Sequence, residues 1–269
     1  MTEALDWNAA ARPGRRLGHA VEHHASIGST NDRARELLAA ASGEGVAVVA
    51  DHQAAGRGRR GRTWLSPAGR NLLASVSLRP VLEPGRAGLL GIAAALAVRD
   101  ACAAAAPGEV LGIRWPNDVV TAGGLKVAGL LVETTLAAER VADAVVGVGI
   151  NVNWRRAEMP EEIAARATSL ADFAGSDVDR VGLLGELLFR LDVEVAALEA
   201  GRSPVDRFRE ASVLDGRGIS VEVGDAVVEG IAAGITDDGA LLMDTPAGRV
   251  ALGVGEVVAV RDLAAEVPA

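Results

Sequence analysis

The chain has 269 residues, of which 49% are hydrophobic and 23% charged, and its formal net charge is -9 at pH 7. This length and composition predict a soluble globular protein with a substantial core, and the acidic balance argues against bulk binding of nucleic acid. The sequence shows no apolar leader and no uncharged apolar run of about 18 residues, so we expect a cytoplasmic protein without membrane segments. Cys102 is the only cysteine, so we expect no intramolecular disulfide.

The first half of the chain predicts helices alternating with hydrophobic strands. The hydroxyl of Ser29 or Thr30 can cap a helix, because serine and threonine accept hydrogen bonds from the first free N–H groups. The predicted elements are, in chain order, an irregular or partly helical lead-in (1–20), a helix from 29–30 to 42–43, a strand (46–51), a strand (72–78) and a long alanine-rich helix (87–106).

The second half predicts neighbouring strands of a central sheet at 119–133 and 144–152, then helices at 181–200 and 204–211. From about residue 212, short apolar runs alternate with turn signals every 8–12 residues, a spacing typical of a small all-β barrel or sandwich. We therefore divide the chain into domains at 1–211 and 212–269.

One run opposes the acidic balance of the chain: residues 56–62 (GRGRRGR), directly after the strand at 46–51. Glycine lets a backbone approach a ligand closely, and arginine presents forked donors that match phosphate and carboxylate oxygens. We expect a loop that is mobile when empty and orders around an anion. From this run alone, a solvated basic loop or a patch for RNA backbone is an equal alternative.

Further segments accompany the loop in a fixed order. They are 29–31 (STN), Gln53, 114–118 (RWPND), 126–133 (KVAGLLVE) and 147–152 (GVGINV). In order and spacing, these segments and the loop strongly resemble the biotin protein ligases, the enzymes that attach biotin to carrier proteins. The resemblance covers about residues 25–262.

The resemblance implies an α+β fold, with a mixed central β-sheet and flanking helices similar to the core of class II aminoacyl-tRNA synthetases. The C-terminal segment resembles a small Src-homology-like β-barrel. Only 28 residues precede Ser29, and they show no pair of amphipathic helices. We therefore expect a short form without an N-terminal DNA-binding domain, no binding of nucleic acid, and a monomer or weak homodimer.

The resemblance also implies a two-step reaction. The biotin carboxylate attacks the α-phosphate of ATP, giving biotinyl-AMP and pyrophosphate, with Mg²⁺ as the expected metal. A lysine of a biotin carboxyl carrier protein then attacks the activated carbonyl and expels AMP. Because the first step sets two anions against each other, preorganised cations are the main means of stabilising its transition state.

By the same resemblance, Lys126 and Arg59 are the catalytic cations and Asp118 the candidate magnesium ligand. The biotin-binding residues are Ser29, Thr30, Asn31, Gln53, Arg57, Gly58, Arg59 and Lys126. The residues that bind ATP or the adenylate are Arg59, Arg62, Trp64, Asn117, Lys126 and Asn151.

Several alternatives stay open at these positions. Lys126, the only lysine of the chain, shares a strand face with Ala128 and Leu130 by the period of two, and it could instead extend to solvent. Asn151 could simply satisfy backbone groups. Arg114 stands where the family normally has lysine, which leaves a direct catalytic role in doubt. The glycines at 129, 147 and 149 fit either close approach of a ligand or tight strand packing.

Two other functions compete with biotin ligation. A lipoate ligase shares the fold and the adenylate chemistry, but the Gly/Arg loop and the WPND segment favour biotin. A nucleic-acid-binding module would use the basic loop and the β-barrel. The acidic balance and the absence of stacking aromatics in that barrel argue against this second function.

Overall fold

A seven-stranded mixed sheet organises most of the molecule in the computed structural model, which describes residues 5–40 and 43–261. Its strands are β1 (Ala20–His24), β2 (Val46–Ala50), β3 (Leu72–Leu78), β4 (Leu111–Arg114), β5 (Asp118–Thr121), β6 (Lys126–Ala137) and β7 (Arg140–Ile150). They lie in the order β1-β2-β3-β7-β6-β5-β4. The β1–β2 pair is parallel and the other pairs are antiparallel, so the predicted mixed sheet is confirmed.

Helices cover both faces of this sheet. They are α1 (Thr30–Ala39), α2 (Ala87–Ala105), α3 (Glu161–Ala164), α4 (Leu170–Ala174), α5 (Arg180–Glu199) and α6 (Val205–Ala211). On one face α2 packs against α5 and the sheet; alternate residues of the strands, such as Val146 and Val148, belong to that core. On the other face, Val145 packs with Ala34 of α1 in a separate small cluster. The sheet therefore separates a large aliphatic core from the helix that carries the STN segment.

The alanine-rich helix is apolar almost all round because it lies inside the fold. The segment Pro84–Ala105 is long and apolar enough to cross a membrane by length and composition, and 61% of its most apolar window is buried in the protein. Alanine and leucine have high helix propensity, and small alanine side chains let α2 lie close to α5. Pro84–Ala105 is thus accounted for as a core helix.

A second sheet follows the helices. Its strands are β8 (Gly218–Val223), β9 (Ala226–Ile235), β10 (Leu241–Thr245), β11 (Gly248–Leu252) and β12 (Glu256–Arg261), all antiparallel, in the order β11-β10-β9-β8-β12. This confirms the predicted C-terminal β unit. Its buried Ile219 and Leu241 belong to the same hydrophobic cluster as Leu96 of α2, so one core runs through both sheets, and the division at 212 stays a prediction.

The structure adds elements to those predicted. The lead-in contains a 3-10 turn, Trp7–Ala10, and is followed by β1. The β1 sequence AVEHH gives little hydrophobic signal, because this edge strand is only half-buried. The predicted strand at 119–133 is β5 and β6, joined through the turn at Gly123-Gly124.

Candidate active site

The predicted site residues, which lie far apart in the sequence, meet at one cavity of about 550 Å³. Residues 56–65, the start of α1, strands β5, β6 and β7, and the second sheet all contribute to its walls. All thirteen predicted residues line it: Ser29, Thr30, Asn31, Gln53, Arg57, Gly58, Arg59, Arg62, Trp64, Asn117, Asp118, Lys126 and Asn151. Their individual roles stay predictions.

At the start of α1, the cap is supplied by a residue from another segment. Ser29 occupies the N-cap position but makes no capping hydrogen bond. Instead the backbone N–H of Thr30 donates to Oε1 of Gln53 at 2.7 Å, because a parallel bridge between Ile27 and Gln53 brings the two segments together. The expectation that a Ser29 or Thr30 hydroxyl caps this helix is therefore wrong.

Behind the start of α1 lies a buried polar network that the sequence analysis missed. Oγ of Ser75 on β3 lies 2.7 Å from Oγ1 of Thr30 and 2.6 Å from Oδ1 of Asn31. Nδ2 of Asn31 donates to Glu133 on β6 at 2.6 Å. A Cβ at position 147 would lie 2.1 Å from the Asn31 amide oxygen, so Gly147 is required for this side chain to lie across the sheet.

Trp64 forms a wall of the cavity by lying against two glycines. A Cβ at Gly149 would lie 2.5 Å from the indole, and one at Gly129 would lie 3.1 Å from it. At positions 129 and 149, the group that closely approaches the glycine backbone is therefore the indole of Trp64, a protein side chain. The indole Nε1–H is buried without a partner in the described part of the chain. A buried unpaired donor is unfavourable, and a ligand acceptor would satisfy it.

The only lysine is held by a buried carboxylate. Nζ of Lys126 lies 2.5 Å from Oδ1 of Asp118, and Arg114 donates to Oδ2 of Asp118 at 2.8 Å. Burial of the Asp118 carboxyl opposes its ionisation, but the charges of Lys126 and Arg114 prevail and hold its pKa below the usual value. Lys126 is therefore anchored beside the cavity, and the alternative that it extends freely to solvent is wrong.

The regular alternation of side chains along a strand predicted the wrong face of the sheet for Lys126. Ala128 and Leu130 are buried in the large core, whereas Nζ of Lys126 lies on the opposite side, 2.8 Å from where a Cβ of Gly129 would be. The pairing of β5 with β6 shifts register here, from Val119↔Ala128 to Val120↔Lys126. Such a bulge breaks the alternation of faces and turns Lys126 toward the cavity.

The same pairing bears on the predicted magnesium site. Each oxygen of Asp118 already contacts a cation, so a magnesium ion on this carboxylate would lie next to two positive charges that repel it. The residues at this position therefore do not fit a resident magnesium ion.

Two arginines of the loop, Arg57 and Arg59, differ in whether a carboxylate pairs with them. Arg57 makes two hydrogen bonds to the carboxylate of Asp32 on α1, both 2.7 Å long. These bonds hold the pKa of Asp32 at about 2, below its usual value. Arg59 donates to the carbonyl of Gly255 at 3.1 Å and forms no ion pair within residues 5–40 and 43–261. Burial lowers the pKa of its guanidinium, although the charges of Glu256 and Asp118 oppose this effect. The group stays charged and has no direct ion-pair partner among the described residues.

The other two arginines contact the second sheet. Arg60 lies 3.1 Å from Glu222, and Arg62 pairs with Glu256. Both carboxylates line the cavity, and neither was predicted as a site residue, since nothing in the sequence links the C-terminal strands to the loop. One oxygen of Glu256 is buried without a partner among the described residues.

The remaining polar residues have backbone partners. Asn117 donates to the carbonyl of Leu130, and Nδ2 of Asn151 lies 3.4 Å from the carbonyl of Lys126. The alternative that Asn151 satisfies a backbone group is thus observed, and the residue also lines the cavity. Arg166, which the sequence analysis missed, is exposed at the rim and has no side-chain partner in the described ranges.

Comparisons with known proteins agree with the motifs. The profile of the Biotin/lipoate A/B protein ligase family matches residues 24–151, and that of the Biotin protein ligase C terminal domain matches 216–259. The Biotin--[acetyl-CoA-carboxylase] ligase of Mycobacterium tuberculosis is 39% identical over 246 residues, which are 88% of each chain. The Bifunctional ligase/repressor BirA of Bacillus subtilis is 34% identical over 86% of this chain and 71% of its own length.

Among solved structures, the biotin protein ligase from Aquifex aeolicus in complex with biotin and ATP superposes with a TM-score of 0.75. It is 30% identical, and the match covers 90% of this chain and 98% of that one. The first family match therefore begins five residues before the STN segment and includes the Gly/Arg loop, and the second covers most of the second sheet. The chain belongs to the biotin protein ligase family.

Proposed function

We propose that this protein joins biotin to AMP, with release of pyrophosphate from ATP, and then transfers the biotinyl group to a lysine of a biotin carboxyl carrier protein. One observation carries the proposal. The chain's only lysine lines one cavity together with a polar recess at the start of α1 and arginines of residues 56–62. This arrangement suits a ligand with a small polar head, a carboxylate and an adjoining phosphate.

In the first step, the biotin carboxylate must approach the α-phosphate of ATP although both are anionic. Lys126 is held in place by Asp118, and Arg59 is a partly buried cation without a carboxylate partner in the described residues. Fixed cations of this kind stabilise the charge of the transition state without reorganising. We assign Lys126 and Arg59 to this role.

The recess at the start of α1 would hold the ureido group. Ser29, Thr30 and Asn31 are buried polar residues, with exposed fractions of 4%, 3% and 5%. Together with Gln53 they offer hydrogen-bonding groups to a cyclic urea, while Trp64 offers an apolar wall to the ring and chain. The dithiolane ring of lipoate lacks donors and strong acceptors and would leave these groups unpaired, which is costly in a buried site. This observation favours biotin over lipoate.

The second step needs a carrier, and we propose that Gly58, Arg62 and the rest of the loop shield the mixed anhydride until the carrier lysine arrives. A cytoplasmic location and a monomer or weak homodimer belong to the same proposal. A requirement for Mg²⁺ also belongs to it and is tested by omitting the metal, but no step is derived through a protein-held ion.

The proposal does not include the repressor role that the Bacillus subtilis relative has in its name. The acidic balance of -9 supports that restriction. Gel-shift titration against duplex DNA at physiological salt would test it, and tight sequence-specific binding would overturn it.

The decisive experiment is biotin-dependent exchange of labelled pyrophosphate into ATP, with lipoate as the control substrate. We expect exchange with biotin and little with lipoate. Transfer of the label from biotin to a purified carrier domain then tests the second step. Absence of exchange with biotin would refute the proposed activity.

A further inference from the structure

Five side chains at the recess form a continuous chain of short polar contacts. Glu133 accepts from Asn31 at 2.6 Å, and Asn31 Oδ1 lies 2.6 Å from Ser75. Ser75 lies 2.7 Å from Thr30, whose Oγ1 is 3.0 Å from Oε1 of Gln53. Ser75 is fully buried, and Thr30 and Asn31 are at most 5% exposed, so bulk water does not complete these bonds.

The carboxylate at one end fixes the direction of the chain. Because a carboxylate only accepts hydrogen bonds, Asn31 must turn its NH₂ group toward Glu133 and its carbonyl oxygen toward Ser75. That oxygen can only accept, so Ser75 donates its single hydroxyl hydrogen to Asn31. In its 2.7 Å contact with Thr30, Ser75 is therefore the acceptor.

The hydroxyl hydrogen of Thr30 is consequently used inside the protein. It is donated to Ser75 or, at the longer distance, to the carbonyl oxygen of Gln53. In either arrangement Thr30 presents only lone pairs to the cavity. Oε1 of Gln53 is already engaged by the Thr30 backbone N–H, so Gln53 has its NH₂ group left to donate.

We propose that Ser75 and Glu133 are positioning residues that impose this pattern, an acceptor at Thr30 and a donor at Gln53, on the recess. The pattern complements a cyclic urea, which donates through its N–H groups and accepts at its carbonyl. The proposal rests on the proposed function, because it names how that same site recognises the head of biotin. Neither side chain touches the ligand; both act through Thr30 and Asn31.

Two substitutions remove the directionality in different ways. In Glu133→Gln the new amide can donate as well as accept, so the Asn31 amide can turn over and release the hydrogen of Ser75. In Ser75→Ala the link between Asn31 and Thr30 is lost. Both changes remove Ser75 as an acceptor for the Thr30 hydrogen. Only the longer 3.0 Å contact with Gln53 then holds this hydrogen away from the cavity, where it would oppose the ureido N–H.

The test is steady-state pyrophosphate exchange by the full chain. Leaving a buried hydrogen bond mismatched weakens binding by about ten- to a hundredfold. We expect KM for biotin to rise by that factor in both variants, with kcat at saturating biotin and KM for ATP within about twofold, as for lost uniform binding.

Matched controls exist for each variant. Ser77 is equally buried on the same strand, two residues away, but donates to the carbonyl of Gly43, outside the recess. Arg35 pairs with Glu133 at 2.9 Å without entering the chain of contacts. Ser77→Ala and Arg35→Ala should leave KM for biotin within about twofold of the unsubstituted protein.

The outcomes separate this proposal from the ligase activity. Exchange by the unsubstituted protein together with unchanged KM for biotin in Glu133→Gln overturns the positioning role alone. Equal effects of Ser75→Ala and Ser77→Ala also overturn it, because they indicate a merely structural hydroxyl. If Ser75→Ala does not fold, Glu133→Gln still decides, since its side chain is 33% exposed. Failure of exchange in the unsubstituted protein overturns the function itself.

Discussion

At the α1 end of the cavity, neutral polar side chains are buried and hydrogen-bonded to one another, whereas at the loop end arginines lie near the surface against carboxylates. Ser75, Thr30 and Asn31 are at most 5% exposed. The side chains of Arg57, Arg60 and Arg62 are 37%, 34% and 51% exposed. One end is thus fixed when the chain folds, and the other is held by contacts open to water.

The difference suits two tasks. A recess whose groups are already oriented binds a neutral head without losing further conformational entropy. The arginines of the loop must instead exchange partners, because they now pair with carboxylates and would have to release them to bind phosphates. Arg60 also adopts φ 56°, the only positive φ of a non-glycine residue in the described ranges, and such a conformation costs about 1–3 kcal/mol. The loop is therefore the more readily displaced of the two regions.

The largest effect should come from the loss of a fixed cation in the cavity. Lys126→Ala removes a fixed positive charge from the reacting groups, and loss of one such donor typically slows the step by about a hundred- to a thousandfold. We expect that loss in pyrophosphate exchange, and a similar one in Arg59→Ala. Arg114 still pairs with Asp118 in Lys126→Ala, so the fold should persist, as circular dichroism would verify. Near-normal exchange would place the reacting centre elsewhere.

A second large effect should be confined to the loop. Trypsin cuts after arginine in exposed segments, and the loop offers Arg57, Arg59, Arg60 and Arg62. Biotin plus ATP should slow these cleavages strongly, because the phosphate and acyl groups give the arginines a ligand to order around. Mass spectrometry identifies the cut sites, and cleavage at Arg202, remote from the loop in sequence, serves as the control. Equal loop cleavage with and without ligands would show that the loop does not close.

A smaller change should follow from releasing the loop from the second sheet. Exposed ion pairs contribute about 0.2–1 kcal/mol each, so Glu222→Gln combined with Glu256→Gln should speed loop cleavage by about two- to thirtyfold without ligand. Glu229→Gln, on the same sheet and paired with Arg261, is the matched control. If the double variant and the control are cleaved alike, these carboxylates do not hold the loop.

The same division governs what could be predicted from the sequence. Long periodic segments such as α5 and β3 were located to within about one residue, because helical or continuous apolar patterns specify them locally. The motif residues were predicted from their order and spacing, and the structure brings them to one cavity. Both ends of the cavity, however, depend on partners that no local pattern reveals.

Those partners are fixed by strand register and by packing between elements. Ser75 meets Asn31 only because β3 pairs with β7 and α1 lies across Gly147. Lys126 meets Asp118 only because of the register shift between β5 and β6. A period of two assumes a regular strand, so it assigned Lys126 to the wrong face.

The smallest effect concerns an ion pair that joins the two regions, between Asp32 on α1 and Arg57 in the loop. The hydrogen bonds from Arg57, together with one from Arg35, lower the pKa of Asp32 from its ordinary value of 3.8 to about 2. A carboxyl whose pKa is lowered by folding stabilises the folded state above its unfolded pKa, and it loses that contribution as pH falls through the folded pKa. The Asp32–Arg57 pair should therefore be intact throughout pH 5–9 and weaken only below pH 3.8. Carboxyl ¹³C NMR, with Asp32→Asn to assign the signal, should show a midpoint near 2 that moves toward 3.8 in Arg57→Ala. A midpoint already near 3.8 in the unsubstituted protein would mean that Arg57 is free in solution, and the loop would then be joined to the second sheet alone.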